Sequence, residues 1–377
     1  MSGTEEKQTT QIQGVIEELS REFEQEKASV RADNSYLDKA DPEHLRARER
    51  EYRDPEKHWV RTRWLECARE VSVANNKKIS YLTLPAYYRI DVSLFHKHGL
   101  LQPLNDGEGT IAVAGFETDP TKFARMASQT PKLQLFGQAA LEDVIVDSKN
   151  KYYAELLKLF PFDIVNLDLT TSLTPQHEGP YSRVMQALNE IIGRQADHPS
   201  LWGLFLTFRN VKDEWEQNAL DTFLKNLQGN LDQHPKVRDS FAAKYNVPTV
   251  AALAGEKVEA AITQSVVKWL VDRAHSQNIE LVRIQSYRYV RYTKPNYVIT
   301  KLIMQFRRGE ISPHAIPTKE TPRQSWMDDD LVKCIVQNKH SDVQDILLKS
   351  PDDALDKLEK EIEELVTSVD ETSRVAL

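Results

Sequence analysis

The sequence predicts an α/β protein: a mostly parallel, doubly wound sheet ending in an antiparallel hairpin, with helical extensions at both termini. Three observations carry that expectation. From residue 77 to about 310, strand-like runs alternate with amphipathic helical ones, the pattern of βα units laid into a parallel sheet. After "EKVEAAITQSVVKWLVDRAHSQ" the alternation stops, and "ELVRIQSYRYVRY" and "TKPNYVITKLIMQFRR" follow with no helix between them. Lys294-Pro295-Asn296 supplies the turn joining these two runs, so the last strands form a hairpin.

Residues 1–70 read as a charged helical extension in which Ile12, Val15, Ile16, Leu19 and Phe23 make one narrow apolar stripe. A second helix starts at Asp41, which caps, and Pro42, which suits the first turn. The α/β domain spans 71–310. Its first strand is "KISYLTL", ended by Pro85, and "AYYRIDVSLFHKHG" is the first helix, with His96, Lys97 and His98 at its negative end and Gly99 terminating it. "TIAVAGFE" is the second strand, followed by a helix that Asp119 caps and Pro120 opens. "KLQLFG" is the third strand, and "AALEDVIVDS" and "KYYAELLKLF" are helical. "FDIVNLDL" is the fourth strand, with "PYSRVMQALNEIIGR" as its crossover helix. "SLWGLFLTFRN" is the fifth, leading into "DEWEQNALDTFLKNLQ". In the long helix before the hairpin, Val266, Val267, Leu270 and Val271 face inward. Residues 311–377 are a proline-bearing linker and a helical extension in which Leu355, Leu358, Ile362, Leu365 and Val369 are spaced as an a/d seam. Helix 352–369 therefore packs on its own domain, on a second copy, or on a protein partner.

Composition narrows the function classes. No apolar run approaches the length needed to span a bilayer, and the polar, acidic N-terminus is no secretory signal, which suits a cytoplasmic protein. Cys67 and Cys334 lie far apart, without metal-ligand spacing, and the histidines add no ligand pattern. A net charge of −8 argues against a broad basic face for nucleic acid, though "YRYVRY" interleaves aromatics with Arg283, Arg288 and Arg291. Outward arginine and inward aromatic is also what plain strand alternation produces.

Chemistry points to strand ends, because ligands of open α/β sheets bind beyond the carboxyl ends of the strands. Glu117 and Asp119 end the second strand, and Asp168 ends the fourth. A fixed acid after the second strand can accept both hydroxyl hydrogens of a ribose. Helix capping is the alternative for Asp119, and a turn in "DLTTSLTP" is the alternative for Asp168.

Five βα units, an acid ending strand two, an Asp ending strand four and a terminal hairpin resemble class I S-adenosylmethionine-dependent methyltransferases, over roughly residues 77–308. The resemblance implies S-adenosylmethionine as cofactor, Glu117 on its ribose with Asp119 alongside, and Thr83 and Ala86 of "TLPAYYR" near its methionine end. It places "FGQAALED" near the adenine, with Asp143 or Glu142 beside it, and "NLDLTTS" where the methyl is transferred. Asp168 would then orient an amine or take its proton. "LD" plus a hydrophobic residue looks closer to tRNA guanine-dimethylating enzymes than to Asn-Pro-Pro-Tyr DNA enzymes, so nucleic acid is an implied substrate. One departure is plain: the first-strand turn, residues 83–89, holds no glycine, where the family has a glycine-rich one. A methyltransferase-like scaffold or sensor without turnover, part of a larger complex, is the second expectation.

Overall fold

A computed structural model describes residues 54–375 apart from 87, 177–181, 291–297, 310–339, 344–345 and 348–352, and leaves out the side chains of 340, 353–356 and 369–375. The fold lies in the unit Asp54–Leu377. The stripe from Ile12 to Phe23, the helix start at Asp41 and the hairpin turn at 294–296 lie outside the described residues.

Helix α1 (Pro55–Asn75) opens on Asp54, whose side chain accepts the Lys57 N–H at 3.1 Å, with Pro55 in the first turn. Asn76, in the left-handed region, ends it. The boundary expected after residue 70 falls inside this helix, whose Trp64 stacks on Phe205 of the sheet with ring centroids 5.5 Å apart.

The βα alternation then runs as expected: β1 (Tyr81–Thr83), α2 (Ile90–Lys97), β2 (Ile111–Phe116), α3 (Pro120–Ala127), β3 (Leu133–Gly137), α4 (Leu141–Val146), α5 (Tyr153–Leu159), β4 (Ile164–Asp168), α6 (Arg183–Gln195) and β5 (Trp202–Arg209). Next come α7 (Gln217–Gln233), α8 (Pro235–Tyr245), α9 (Glu256–Ser276), β6 (Ile279–Val290), β7 (Val298–Arg308), β8 (His340–Asp342) and α10 (Asp353–Val375).

One eight-stranded sheet holds them in the order β3-β2-β1-β4-β5-β7-β6-β8. β7 is antiparallel to both β5 and β6, and the other described pairings within the sheet are parallel. The hairpin expected at the end of the sheet is present in β6 and β7, and its second strand inserts beside β5. Strand β8 was not foreseen; it extends the sheet past β6, pairing Ser286 with His340 and Arg288 with Asp342.

Alternation along the strands divides the core between the two faces. Leu82, Val165, Leu204 and Leu206 point into the larger cluster, under helices that include α6, α7 and α9. Tyr81, Val113, Ile164, Phe205 and Ile303 point the other way, into a smaller cluster under α1 and α2. Helix α10 packs on α1 and α2 and buries Leu358, Ile362 and Val366, so the described part of the seam lies against the chain's own helices. The buried stripe advances by four residues at each step, and Leu365, expected in the seam, is only partly buried.

Candidate functional site

Strand β4 and the residue just before it present three polar residues in an otherwise apolar run: Asp163, Asn166 and Asp168. Each has a different physical reason to be there. Asp163, at the amino end, is fully buried and accepts from Asn75 Nδ2 (2.9 Å), Ser80 N (2.8 Å), Ser80 Oγ (3.0 Å) and His198 Nε2 (3.1 Å), with Lys77 Nζ at 3.0 Å. Burial works to raise its carboxyl, but the His198 and Ser80 hydrogen bonds and Lys77 hold it far below the ordinary carboxylate range. This knot ties β4 to the strand and helix before it, away from the carboxyl edge.

Asn166 belongs to a buried network at the end of β1. Tyr81 Oη and Thr83 Oγ1 donate to Asp91 Oδ2 at 2.5 and 2.8 Å, and Asn166 Nδ2 donates to Tyr81 Oη at 2.8 Å. Burial, then the Asp91 charge, raises the Tyr81 phenol well above its usual range. Thr83, expected near the methionine end of a cofactor, is therefore turned inward with its hydroxyl engaged. The tight spot lies one strand over: a Cβ on Gly115 of β2 would come within 3.3 Å of the Pro85 ring and of Phe136. Ala86 follows, half-buried, and the buried Arg89 donates to the carbonyls of Met126, Gln129 and Pro131. The Asn166 Oδ1 atom is buried with no partner among the described residues.

Glu117 stands directly after β2, the position where the sequence resemblance expects an acid. Its Oε1 accepts the Asp119 N–H at 2.8 Å, which fixes the carboxylate. Asp119 is a helix cap, accepting from the Thr121 and Lys122 N–H groups at 2.8 and 3.0 Å. Asp143 lies on the exposed side of α4 and pairs with Arg183 of α6 at 2.9 Å. The structure thus brings Thr83 and Asp168 to one face of adjoining strands, with Glu117 beyond the next strand. Asp119 is directed into a cap and Asp143 into a surface ion pair.

Asp168 ends β4 with its side chain 24% exposed, at the carboxyl edge as predicted. Register places Asp168 opposite Thr207 on β5, and Thr207 opposite Lys301 on β7, so the three share a row on the α1 side of the sheet. Lys301 reaches along that row to Asp168 Oδ1 at 3.5 Å, although its own side chain is only 1% exposed. Its ammonium lies over the Trp64 ring, 4.5 Å from the centroid, with Tyr289 at 5.9 Å. Burial works to raise the Asp168 carboxyl, but Lys301, then Lys57, a Thr207 hydrogen bond and Arg61 bring it below its ordinary value. Burial lowers the Lys301 ammonium against the favourable charge of Asp168. Sequence reasoning missed Lys301 and Asp91. A lysine amid the apolar run "VITKLIMQF" and an aspartate in "IDVSLF" were the available signals.

Among the described residues no group of three or more His, Cys, Asp or Glu is placed to hold a metal, and no helix is long and apolar enough to cross a membrane. Both arginines of the aromatic–arginine strand that are described are engaged within the chain. Arg283 pairs with Glu70 at 3.0 Å, and Arg288 with Glu259 and Asp342 at 3.0 and 2.9 Å.

The strand order and the reversed β7 are those of a methyltransferase-like α/β fold. The PP_RS20740-like family matches residues 52–371, and the chain belongs to that family. None of the curated proteins matches it. Among solved structures, the chain is similar to the plantazolicin methyltransferase BpumL in complex with SAH, at 6% identity and a TM-score of 0.34, over 72% of this chain and 92% of that one. It is also similar to the Burkholderia thailandensis 1,6-didemethyltoxoflavin-N1-methyltransferase, with 1,6-didemethyltoxoflavin and S-adenosylhomocysteine bound, at 12% identity and a TM-score of 0.29, again over 72% and 92%. At such scores the overlap carries no argument, and the fold rests on the strand order itself.

Proposed function

We infer that this chain is a methyltransferase that takes S-adenosylmethionine over the carboxyl ends of β1 and β2 and directs its methyl group to an amine held at Asp168. The observation that carries the reading is Glu117: a carboxylate pinned by the Asp119 N–H at the end of β2, at the height of the β1 turn. Such an acceptor suits a ribose diol, which has two hydroxyl hydrogens to give. When bound, the cofactor would supply an electrophilic methyl on a sulfonium. Asn166 Oδ1, an orphan acceptor, and the Asp168 carboxylate lie two residues apart on the same strand, and both can accept amine hydrogens. With its proton affinity depressed by Lys301, Asp168 is a weak base and a good orienting group, so its contribution is positional. Nucleic acid as the acceptor finds no support in Arg283 and Arg288, which are paired within the chain.

A second reading is favoured by a different observation. The Thr83 hydroxyl is committed to Asp91 and the Pro85 ring packs on Gly115, so the segment where the family has glycines is closed by side chains. A scaffold or sensor without turnover needs no more than this. Calorimetry on the full chain separates the two. S-adenosylmethionine and S-adenosylhomocysteine should bind, and Glu117→Ala should weaken both by about 1–3 kcal/mol, as for a lost charge-assisted bond. Absence of binding by wild type at about 1 mM ligand would leave the scaffold reading standing. Unchanged affinity in the variant would move the ribose site away from Glu117.

A further inference from the structure

A lysine inside an apolar strand needs a physical reason, since lysine is almost never fully buried unless it is paired. Burial works against the charged form of Lys301. Methionine, of similar length, would fill the same place beside Trp64 without desolvating a charge, and apolar replacement of a buried ion pair is often neutral or stabilising. What the lysine adds to packing is a positive charge at a fixed place. That place is set from two sides. The ammonium lies 4.5 Å from the centre of the Trp64 ring, and Trp64 stacks parallel on Phe205 at 5.5 Å, so the seat is itself held. Strand register sets the other side, with Asp168, Thr207 and Lys301 in one row across β4, β5 and β7.

The pair is asymmetric. The Lys301 side chain is 1% exposed and that of Asp168 24%, so the ammonium is enclosed and the carboxylate stands at the surface end of the row. The ammonium reaches one carboxylate oxygen, Oδ1, at 3.5 Å, longer than the roughly 2.7–2.9 Å of a close charge-assisted bond. Its hold on Asp168 is electrostatic and comes from one side. Other groups face the pair: Asp54, Lys57 and Arg61 on the first turns of α1, with the buried Glu56 beside Lys57, Thr207 on β5 and Tyr289 on β6. Glu56, Lys57 and Arg61 have partners of their own, so they form a background common to wild type and variants. Lys301 is the cation in contact with Asp168.

We propose that Lys301, seated on Trp64, is a positioning residue for Asp168: it holds Oδ1 inward, so that Oδ2 is the oxygen presented at the strand end to an acceptor N–H. The same contact opposes the burial that works to protonate Asp168. This deepens the methyltransferase reading and rests on it for the role of the amine. The pair itself needs no cofactor, and Lys301 needs no contact with the acceptor. No bond forms or breaks in the contact.

The test is a carbon-13 NMR titration of the full chain, labelled in its aspartates and lysines, at fixed ionic strength. The Asp168 signal is identified by its loss in Asp168→Asn, and the Lys301 signal by its loss in Lys301→Met. In folded Lys301→Met, which keeps most of the packing, the Asp168 midpoint should rise by about one pH unit or more. Three-bond couplings from the same carboxyl carbon to the backbone nitrogen should report one χ1 rotamer in wild type and averaging in the variant. An unchanged midpoint, or a single rotamer kept in folded Lys301→Met, overturns the proposal. Trp64→Leu removes the seat and no charge; it should give both changes in weaker form, and an unaltered Asp168 there counts against the seat. Should Lys301→Met not fold, Asp168→Asn supplies the second arm: the Lys301 midpoint should fall by about one unit, and no fall overturns the proposal. Calorimetry of wild type with S-adenosylmethionine runs in parallel. Coupled titrations without cofactor binding would sink the methyltransferase reading and keep the pair, whereas cofactor binding with uncoupled titrations does the reverse.

Discussion

Asp163, just before β4, and Asp168, at its end, both carry depressed carboxyls, yet they answer to different demands. Asp163 is enclosed by donors from three residues and a lysine, which is what a fully buried carboxylate requires if it is to stay ionised. Asp168 has one loose lysine, a Thr207 hydrogen bond and a partly exposed side chain, which leaves it open to the role proposed for it. Asp163→Asn should therefore destabilise the protein by about 3–5 kcal/mol, the usual cost of breaking a buried pair, without touching ligand affinity. The pH dependence follows from the sign of the shift. Since the folded-state value lies below the unfolded one, near 4, the carboxylate's contribution is present above that value and is lost as pH falls through the folded one. Wild type should lose stability on acidification below about pH 4 more steeply than Asp163→Asn does. Urea midpoints at several pH values measure both, and parallel acid limbs would mean that Asp163 is not the group responsible. In "FDIVNLDL", Asp163, Asn166 and Asp168 interrupt an otherwise apolar run. Only Asp168 could be given a role, because the partners of the other two come from residues 75–91 and 198, and nothing local marks them.

At the scale of elements, legibility followed how local the determinants were. Helix α3 was readable because Asp119-Pro120 sets its start within two residues, and the side chain does cap there. Gly99, at φ 67°, closes the end of α2 for a similarly local reason. Helix α10 shows the opposite case. Its periodicity announced an apolar face but not what would cover it, and 3–4 spacing served equally for a partner helix and for the chain's own α1 and α2. The structure covers Leu358, Ile362 and Val366 with those helices and adds Lys97 to Glu364 at 2.9 Å and His98 to Glu361 at 3.2 Å. Those ion pairs are exposed or half-exposed, so the apolar stripe holds the helix. Leu358→Lys with Ile362→Lys should accordingly lower the melting temperature and detach α10 while leaving the mass in light scattering unchanged. A fall in mass with stability retained would show instead that this face holds a second copy.

At the scale of the molecule, the order β3-β2-β1-β4-β5-β7-β6-β8 places β4, β5 and β7 between hydrogen-bonded neighbours and under helices, and leaves β3 and β8 as edges. The mostly parallel order was predictable because βα alternation leaves few right-handed ways to lay strands down, and a helix-free return forces one reversed strand. What the return does at the edge was not predictable, because β8 is three residues long and belongs to a segment with no strand pattern of its own. Stability should be distributed accordingly. Leu204, Phe205 and Leu206 of β5 and Leu302, Ile303 and Met304 of β7 are fully or nearly fully buried and paired to each other in register. Exposing their amides requires opening the larger core on one face and the Trp64–Phe205 stack on the other, which amounts to unfolding the domain. Ser341 and Asp342 are held to β6 by one short ladder and by the Arg288–Asp342 pair, so their amides can exchange by local fraying. Native-state hydrogen exchange should find the β5 and β7 amides slowest, with denaturant sensitivity close to that of global unfolding, and the β8 amides faster by orders of magnitude and almost insensitive to denaturant. Equal protection in β8 and β5 would mean that the C-terminal strand is part of the cooperative core, and that the domain does not end with the hairpin.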